Sequence, residues 1–398
     1  MIRLTSRGFG LLTIGVVVLI GSGVTGLRPM AWPGGLLIGL VLAATVVAWL
    51  SARKPILRRR LLPDRVAAGD SLKVAIHVEQ DSVGFGSWSV VEDLLPDEVH
   101  GNSVLAVPTG WGRLDSVHQY QIQTRARGRF PIGPSLWTTS DPLGLARTRR
   151  RMGSTSLLTV TPELHRLGAG GRNAGQGLTG DSARQRSNVL GADDTLIREY
   201  RPRDEMRRVH WPSTARTGRL MVRREEHAWE PSALILLDNR SSAHLGVGTQ
   251  SSFEWAVSAA ASIGVLLLES GYDVDLATAD GQTLTAEGDS IRESLLDHLT
   301  DVTLIPQPDL TAPLQPGSAA KGQLLIAILG RLSPTDALAL TTARRDGQLC
   351  RAIIMQPAGA GPEDPAELLL GSGWQVATDA GRLSIDRAWA RLDRATVR

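Results

Sequence analysis

The stretch LIREYRPRDEMRRVHWPSTARTGRLMVRREE, residues 196 to 226, holds nine arginines, five acids, a tyrosine and a tryptophan. Such a set has three chemical uses. Free arginines beside exposed aromatics bind nucleic acid, arginines paired with carboxylates make a structural or docking element, and arginines beside a nucleophile serve catalysis. Here Glu199, Asp204, Glu205, Glu225 and Glu226 are interleaved with the arginines, so forked Arg-carboxylate bonds can satisfy much of the charge internally. Nucleic acid needs several free phosphate contacts and is therefore not expected as a partner. His210, beside Trp211 and among acids, is the best acid-base candidate, although a histidine in a charged segment is more often a plain strand or loop residue. The eight histidines form no close pair on one helical face, and Gly-x-Ser-x-Gly, His-Glu-x-x-His and P-loop patterns are absent. A second chemical locus follows the apolar run ALILL. There Asp238, Ser241 and Ser242 stand in LDNRSS, where a magnesium-binding carboxylate would be presented, with Arg240 between them.

The elements that position these residues begin with a membrane signal. Phe9 to Leu27 and Ala31 to Leu50 are uncharged, and each is near the roughly 20 residues that span a bilayer. Only Arg28, Pro29 and Met30 separate them, which forces a helical hairpin, because each segment must keep its backbone hydrogen bonds internal in lipid. A signal peptide is disfavoured by the length of the first run and by the span that follows at once. Arg3 and Arg7 precede the hairpin, and Arg53, Lys54, Arg58, Arg59 and Arg60 follow it, so the positive-inside bias puts both ends in the cytoplasm, at the plasma membrane. The lone cysteine, Cys350, excludes an internal disulfide and multi-cysteine zinc sites, and agrees with a reducing compartment. Lys54, Lys73 and Lys321 are the only lysines, so the basic charge is nearly all arginine, the residue suited to paired geometry, although genomic composition bias is the simpler and favoured explanation of the choice.

Five segments follow: a transmembrane hairpin with basic flanks (1–60), a β-sandwich-like domain (61–167), a Gly/polar linker (168–194), the Arg/Glu-rich stretch (195–231) and an α/β domain (232–398). In the second, SLKVAIHVE places Leu72, Val74, Ile76 and Val78 alternately with Lys73, His77 and Glu79, the pattern of a strand wet on one side. Short runs of this kind, broken by Gly, Pro and Asp, predict an antiparallel sandwich. From Ser232 strands and helices alternate, which predicts a parallel, doubly wound sheet. Its helix signals are Ser251 with Glu254, Ser290 with Glu293, and Ser333 with Pro334, and its stops are Gly271 and Gly347. In such a sheet ligands bind beyond the carboxyl ends of strands at the switch point of strand order, which brings Asp238 to the site.

Two resemblances sharpen this. LDNRSS resembles the Asp-x-Ser-x-Ser metal loop of von Willebrand A domains: Asp238 and Ser242 match, and Arg240 takes the place of the middle Ser. A cation there opposes a divalent ion and can itself pair with Asp238. Gly330 ends the strand QLLIAIL, where a second acid would be expected. REYRPRDEMRRVHWPSTARTGRLMVRREE is similar to the signature of the domain-of-unknown-function-58 family. Arg198, Glu199, Tyr200, Asp204, Arg207, Trp211, Ala215, Arg216, Leu220, Val222 and Arg223 match. Arg203 stands for the usual Gly and Val209 for Ile; Thr214 takes the usual Ser place, with Ser213 one residue earlier. RGRFPIGPSLWTTSDPLGLARTRR is similar to the family's second hallmark.

The resemblance implies a von Willebrand A-like membrane protein associated with a MoxR-type ATPase of the AAA class, often with a membrane transglutaminase-like protein, and no enzymatic activity. The expected role is a membrane-tethered adaptor in which Arg198, Glu199, Tyr200, Asp204, Arg207, Trp211, Ser213, Arg216 and Arg223 form a clamp between domains, Trp211 packed within it, whose remainder touches the ATPase. The alternative is a metal-dependent ligand binder or hydrolase at Asp238 and Ser242, with magnesium as the one cofactor in question.

Overall fold

The structure is a computed structural model that describes residues 2–50, 55–168, 196–199, 209, 211–224, 232–285, 290–310, 324–344, 348–355, 364–378 and 380–394. The Gly/polar stretch beyond residue 168, and Tyr200, Asp204, Arg207, His210 and Gly347, lie outside the described residues. Two compact units are present, Met1–Thr161 and Pro162–Arg398.

The first unit opens with strand β1 (Ile2–Leu4), then helices α1 (Ser6–Thr25) and α2 (Ala31–Leu50), joined by a short turn at Arg28–Met30. Both helices are long and apolar enough to cross a membrane. They pack closely because Gly15 and Gly34 face each other: a Cβ on Gly15 would lie 3.1 Å from the Gly34 carbonyl, and one on Gly34 the same distance from that of Gly15. Without water there is no hydrophobic drive between such helices, so small residues that let backbones approach supply the contact. Exposed Trp32 and Trp49 stand 17 positions apart near the ends of α2. At 1.5 Å per residue that is about 25 Å, a spacing suited to the two interfaces of a bilayer.

Nine further strands complete this unit: β2 (Ile56–Leu62), β3 (Arg65–Ala67), β4 (Ser71–Asp93), β5 (Val99–Gly101), β6 (Val104–Thr124), β7 (Gly128–Ile132), β8 (Ser135–Ser140), β9 (Ala146–Met152) and β10 (Ser156–Thr161). One sheet runs β1-β9-β8-β4-β6-β5 with β2 also on β4, and a three-stranded sheet runs β3-β10-β7. Both contribute to a single core. Val66 of β3, Ile132 of β7 and Leu158 and Val160 of β10 meet Leu72, Val74, Ile76 and Val78 of β4 and Ile122 of β6. The alternation read in SLKVAIHVE is thus realised, with His77 outside and bonded through Nε2 to Asp115 at 2.6 Å. The expected short strands are not: β4 and β6 pair over some twenty residues, with a register shift between Val83 and Ser87. Arg59 is no free flanking cation either. It turns inward from β2 and pairs with buried Asp93, Nε to Oδ2 2.8 Å and Nη2 to Oδ1 2.7 Å, while Tyr120 and Ser135 donate to the same carboxylate. Burial opposes ionisation of Asp93, but the hydrogen bonds from Arg59, Ser135 and Tyr120 outweigh it and hold its pKa below the usual range.

In the second unit, β11 (Leu196–Glu199) and β12 (Met221–Arg224) pair as an antiparallel ribbon, with helix α3 (Trp211–Thr217) between them in sequence. The remainder is β13 (Ser232–Leu237), α4 (Ser252–Glu269), β14 (Asp273–Thr278), β15 (Thr283–Thr285), α5 (Ile291–Asp301), β16 (Leu324–Leu329), α6 (Pro334–Ala343), β17 (Leu349–Ile354), α7 (Pro365–Gly371), β18 (Gln375–Ala377) and α8 (Ile385–Arg394). Strand order is β15-β14-β13-β16-β17-β18, parallel throughout except for the edge strand β15. The run ALILL is apolar at every position because successive side chains face opposite layers. Ala233, Ile235 and Leu237 join the core with α4, α5 and α8, whereas Leu234 and Leu236 join the one with α6 and α7. Helix α8 shows the matching helical pattern: Ile385, Ala388, Trp389 and Leu392 recur at helical spacing, and all are buried in the first of these cores. Helix α4 is also long and apolar enough to span a membrane, but it is largely buried in this core.

The helix signals are mostly as read. Ser251 Oγ accepts from the Glu254 amide at 3.2 Å, and Gly271 follows α4 with φ 80°. Ser333 caps α6 in a reciprocal box with Asp336. Ser290, by contrast, makes no side-chain cap on α5.

Candidate functional site

In the central sheet the chain runs from β13 to β14 on one side and later returns to add β16 on the other, so the carboxyl ends of β13 and β16 flank the switch point of strand order. Asp238 follows β13 there and is fully buried, and the Arg240 guanidinium faces it. Arg240 donates from Nε to Asp238 Oδ1 at 2.9 Å and from Nη2 to Oδ2 at 3.0 Å. From Nη1 it reaches Asp336 Oδ2 at 3.0 Å and the Pro308 carbonyl at 2.9 Å. The Arg240 and Gly330 amides also donate to Asp238, at 3.1 and 3.3 Å. A side-chain cation thus sits between two carboxylates, with its donors distributed over carboxylate and carbonyl oxygens.

The electrostatics follow from burial and pairing. Burial opposes the charge on Arg240, yet the bonds to Asp238 and then the field of Asp336 outweigh it and raise its pKa. Burial likewise opposes ionisation of Asp336, but the Ser333 hydroxyl and then Arg240 outweigh it and lower its pKa. His244 closes the same loop. Its Nε2 lies 2.6 Å from the Asp238 carbonyl oxygen, which can only accept, so that nitrogen carries the proton. Nδ1 then accepts from Ser252 Oγ at 3.1 Å, and that oxygen accepts from the Leu245 amide at 2.9 Å. Burial lowers the His244 pKa, so the ring is neutral at pH 7.

The pairing of Arg240 with Asp238 is the one the spacing allowed. The expected second acid is replaced in an instructive way. A Cβ on Gly330 would run into the Ala243 backbone, so no side chain fits there, and the second carboxylate comes instead from Asp336 in the first turn of α6. The sequence showed Ser333 only as a cap before Pro334; its reciprocal box with Asp336 in the fold fixes that acid at the sheet end. Ser242, the other residue of the metal-loop pattern, is exposed in a short helical turn and makes no hydrogen bond to Asp238. Among the described residues no group of three His, Cys, Asp or Glu side chains is placed to hold a metal.

The Arg/Glu-rich stretch forms a separate locus in this unit. Arg198 stands opposite Val222, Glu199 opposite Met221, and Arg223 opposite Ile197 in the β11-β12 ribbon. Thr214, in the place usually held by Ser, accepts the Met221 amide at 3.0 Å and ties α3 to β12. The helix ends at Gly218, φ 68°, whose amide bonds the Thr214 carbonyl. Ser213 is half-buried on α3, whereas Trp211 is 64% exposed and Arg216 is exposed. A packed Trp211 is therefore not what this fold provides: no residue of α3 is buried, and the indole faces solvent.

A parallel α/β unit whose switch point is closed by an internal arginine, in a chain that opens with two apolar helices, is the class defined by these features. Residues 196–325 match the model of the family described as "Protein of unknown function DUF58", which is the family that the Arg-Glu-Tyr motif resembles. The chain is 25% identical over 270 residues to the uncharacterized protein YeaD of Bacillus subtilis (strain 168), a match covering 65% of each chain and so just under two thirds of that relative. Among solved structures, a cohesin module from a Clostridium perfringens family 33 glycoside hydrolase is 10% identical, covering 28% of this chain and 100% of the module, with a TM-score of 0.17. CaCohA2 from Clostridium acetobutylicum is 12% identical, covering 28% of this chain and 94% of its own, with a TM-score of 0.15. Likeness at these scores says nothing about the fold.

Proposed function

We propose that this protein is a membrane-tethered adaptor without catalysis of its own, which docks a MoxR-type ATPase of the AAA class and client proteins on its cytoplasmic body. The observation behind this reading is the guanidinium of Arg240, which takes up Asp238 and Asp336 where an α/β unit of the von Willebrand A-like kind would use its switch point for a ligand. An arginine cannot lose its proton at physiological pH and brings no open coordination position, so the locus serves as a rivet. The hairpin holds the body on the plasma membrane with both helix ends in the cytoplasm, as the basic flanks favour. Docking falls to α3, where exposed Trp211 and Arg216 are residue types that anchor protein interfaces. Arg198, Glu199 and Arg223 lie on the ribbon that carries this helix. A membrane transglutaminase-like protein is a further candidate partner, and nucleic acid is not one.

The competing reading is a metal-dependent ligand binder or hydrolase at the Asp238 loop, favoured by the two carboxylates that converge there. Thermal unfolding of the full chain in detergent, with and without magnesium, separates the two. A ligand that binds only the native state raises the melting temperature. The adaptor reading expects no change with magnesium and retention of the ATPase in a pull-down with the hairpin intact. A magnesium-dependent rise that vanishes in Asp238→Ala would establish the alternative.

A further inference from the structure

The loop before β9 is stiffened by one buried acid. Asp141 accepts the amides of Leu143 at 2.9 Å and Ala146 at 2.5 Å, and its carbonyl accepts that of Gly144 at 3.0 Å. The loop is hooked to the start of α1, where the Thr5 amide donates to the Leu145 carbonyl at 2.9 Å and the Thr5 hydroxyl to that of Gly144 at 2.7 Å. Leu145 is buried against Val41 and Ala44 of α2, whereas Leu143 is left 56% exposed beside the first turns of α1. Between loop and hairpin lies an open pocket of about 480 Å³ lined by Leu11, Ile14, Leu40, Leu143 and Leu145, with Arg7 the one charged residue on its wall. Because Arg7 opens the membrane helix and Ile14 lies two turns further in, the pocket spans the depth from headgroup to upper acyl chain.

The neighbouring sheet edge has the complementary charge. In the β1-β9 pair Arg3 stands directly opposite Arg147, and Arg149 and Arg151 follow Arg147 on the same exposed face. Like charges opposite each other on a ladder repel. Arg149 is paired with Glu92 at 3.1 Å, whereas Arg3, Arg7 and Arg147 form no ion pair with an acid among the described residues. Two facing cations, a third at the mouth of an apolar pocket and an exposed leucine beside a membrane helix ask for an anion that carries a hydrocarbon chain.

We propose that this corner of the first unit binds an anionic phospholipid of the surrounding bilayer, with an acyl chain in the pocket and its phosphate on Arg7, and with Arg3 and Arg147 sharing that or a neighbouring headgroup. The proposal rests on the hairpin spanning a membrane. It gives the tether a lipid preference and orients the sheet edge against the bilayer surface, where juxtamembrane arginines gain from an anionic leaflet.

The test reconstitutes the full chain in vesicles of equal parts phosphatidylcholine and phosphatidylglycerol, extracts it gently, and counts each retained lipid by native mass spectrometry. Flotation of the same vesicles reports insertion separately. The expectation is about a tenfold preference for phosphatidylglycerol, since phosphatidylcholine offers the same phosphate but adds a choline cation that Arg3, Arg7 and Arg147 repel. It should be lost in Arg7→Gln, reduced in Leu143→Ser, and unaffected by millimolar inorganic phosphate. Both side chains are exposed, so both variants should float and melt like the parent. Equal retention of the two lipids, a preference unchanged in Arg7→Gln, or displacement by inorganic phosphate alone would overturn the site while leaving the tether standing. Failure to float would overturn the tether and the site with it.

Discussion

Arg240 is the residue on which the second unit turns. Two buried carboxylates, Asp238 and Asp336, share its guanidinium, and removal of one partner from a buried pair leaves opposite charge uncompensated at a cost of about 3–5 kcal/mol. Arg240→Ala should therefore lower the unfolding free energy in urea by that amount. Arg240→Ser should regain part of the loss when magnesium is added, because the two acids then face an unfilled position; no magnesium effect in Arg240→Ser would mean that the two carboxylates do not suffice for a divalent ion. Acid should also destabilise the fold in two stages. His244 has a lowered folded pKa, so its contribution is present above the unfolded value near about 6.5 and fades as pH falls below it. Asp93 and Asp336 are lowered as well, so their contribution is present above about 4 and is lost as pH falls through their depressed folded values. Thermal unfolding against pH should show both stages in the parent and only the lower one in His244→Asn.

At the scale of elements, the hairpin and the ribbon-helix segment make opposite demands. Gly15 sits where the backbones of α1 and α2 touch, so Gly15→Leu should splay the hairpin and weaken its resistance to detergent extraction or proteolysis, whereas Gly10→Leu, with open space around it, should not. Trp211 behaves as a surface anchor. Trp211→Ala should change stability by no more than about 0.5 kcal/mol, the range of exposed substitutions, while it reduces partner binding. How legible each element was follows from how local its cause is. The apolar spans, the alternation in β4, the Ser251 and Ser333 caps and the unbroken apolar run of β13 are set within a few residues, and they read correctly. The great length of β4 and β6 depends on pairing between segments tens of residues apart. The inward turn of Arg59 depends on Asp93, and the exclusion of any side chain at position 330 depends on the Ala243 backbone. Ser333 was readable as a cap, but Asp336 was not readable as the second acid of the switch point, because that role exists only once β13 and β16 lie side by side.

For the molecule as a whole, two helices long and apolar enough to cross a membrane belong to the unit with the β core, the other unit is an α/β fold closed by its own arginine, and the exposed helix α3 is the proposed recognition surface. Orientation is open to direct test: a cysteine at Ser51 in a Cys350→Ala background should resist a membrane-impermeant maleimide added to intact cells and react after lysis. Buried Cys350, whose thiol burial pushes up to about 11, would add little background even if retained. The most direct measurement of the central claim is equilibrium binding of the full chain, in lipid nanodiscs, to the proposed partner, a MoxR-type ATPase, for the parent and for Trp211→Ala. The account predicts saturable binding by the parent without magnesium at the Asp238 loop, and a loss of at least about tenfold in Trp211→Ala at an unchanged melting temperature. Absence of parent binding, or equal binding by the two proteins, would contradict it.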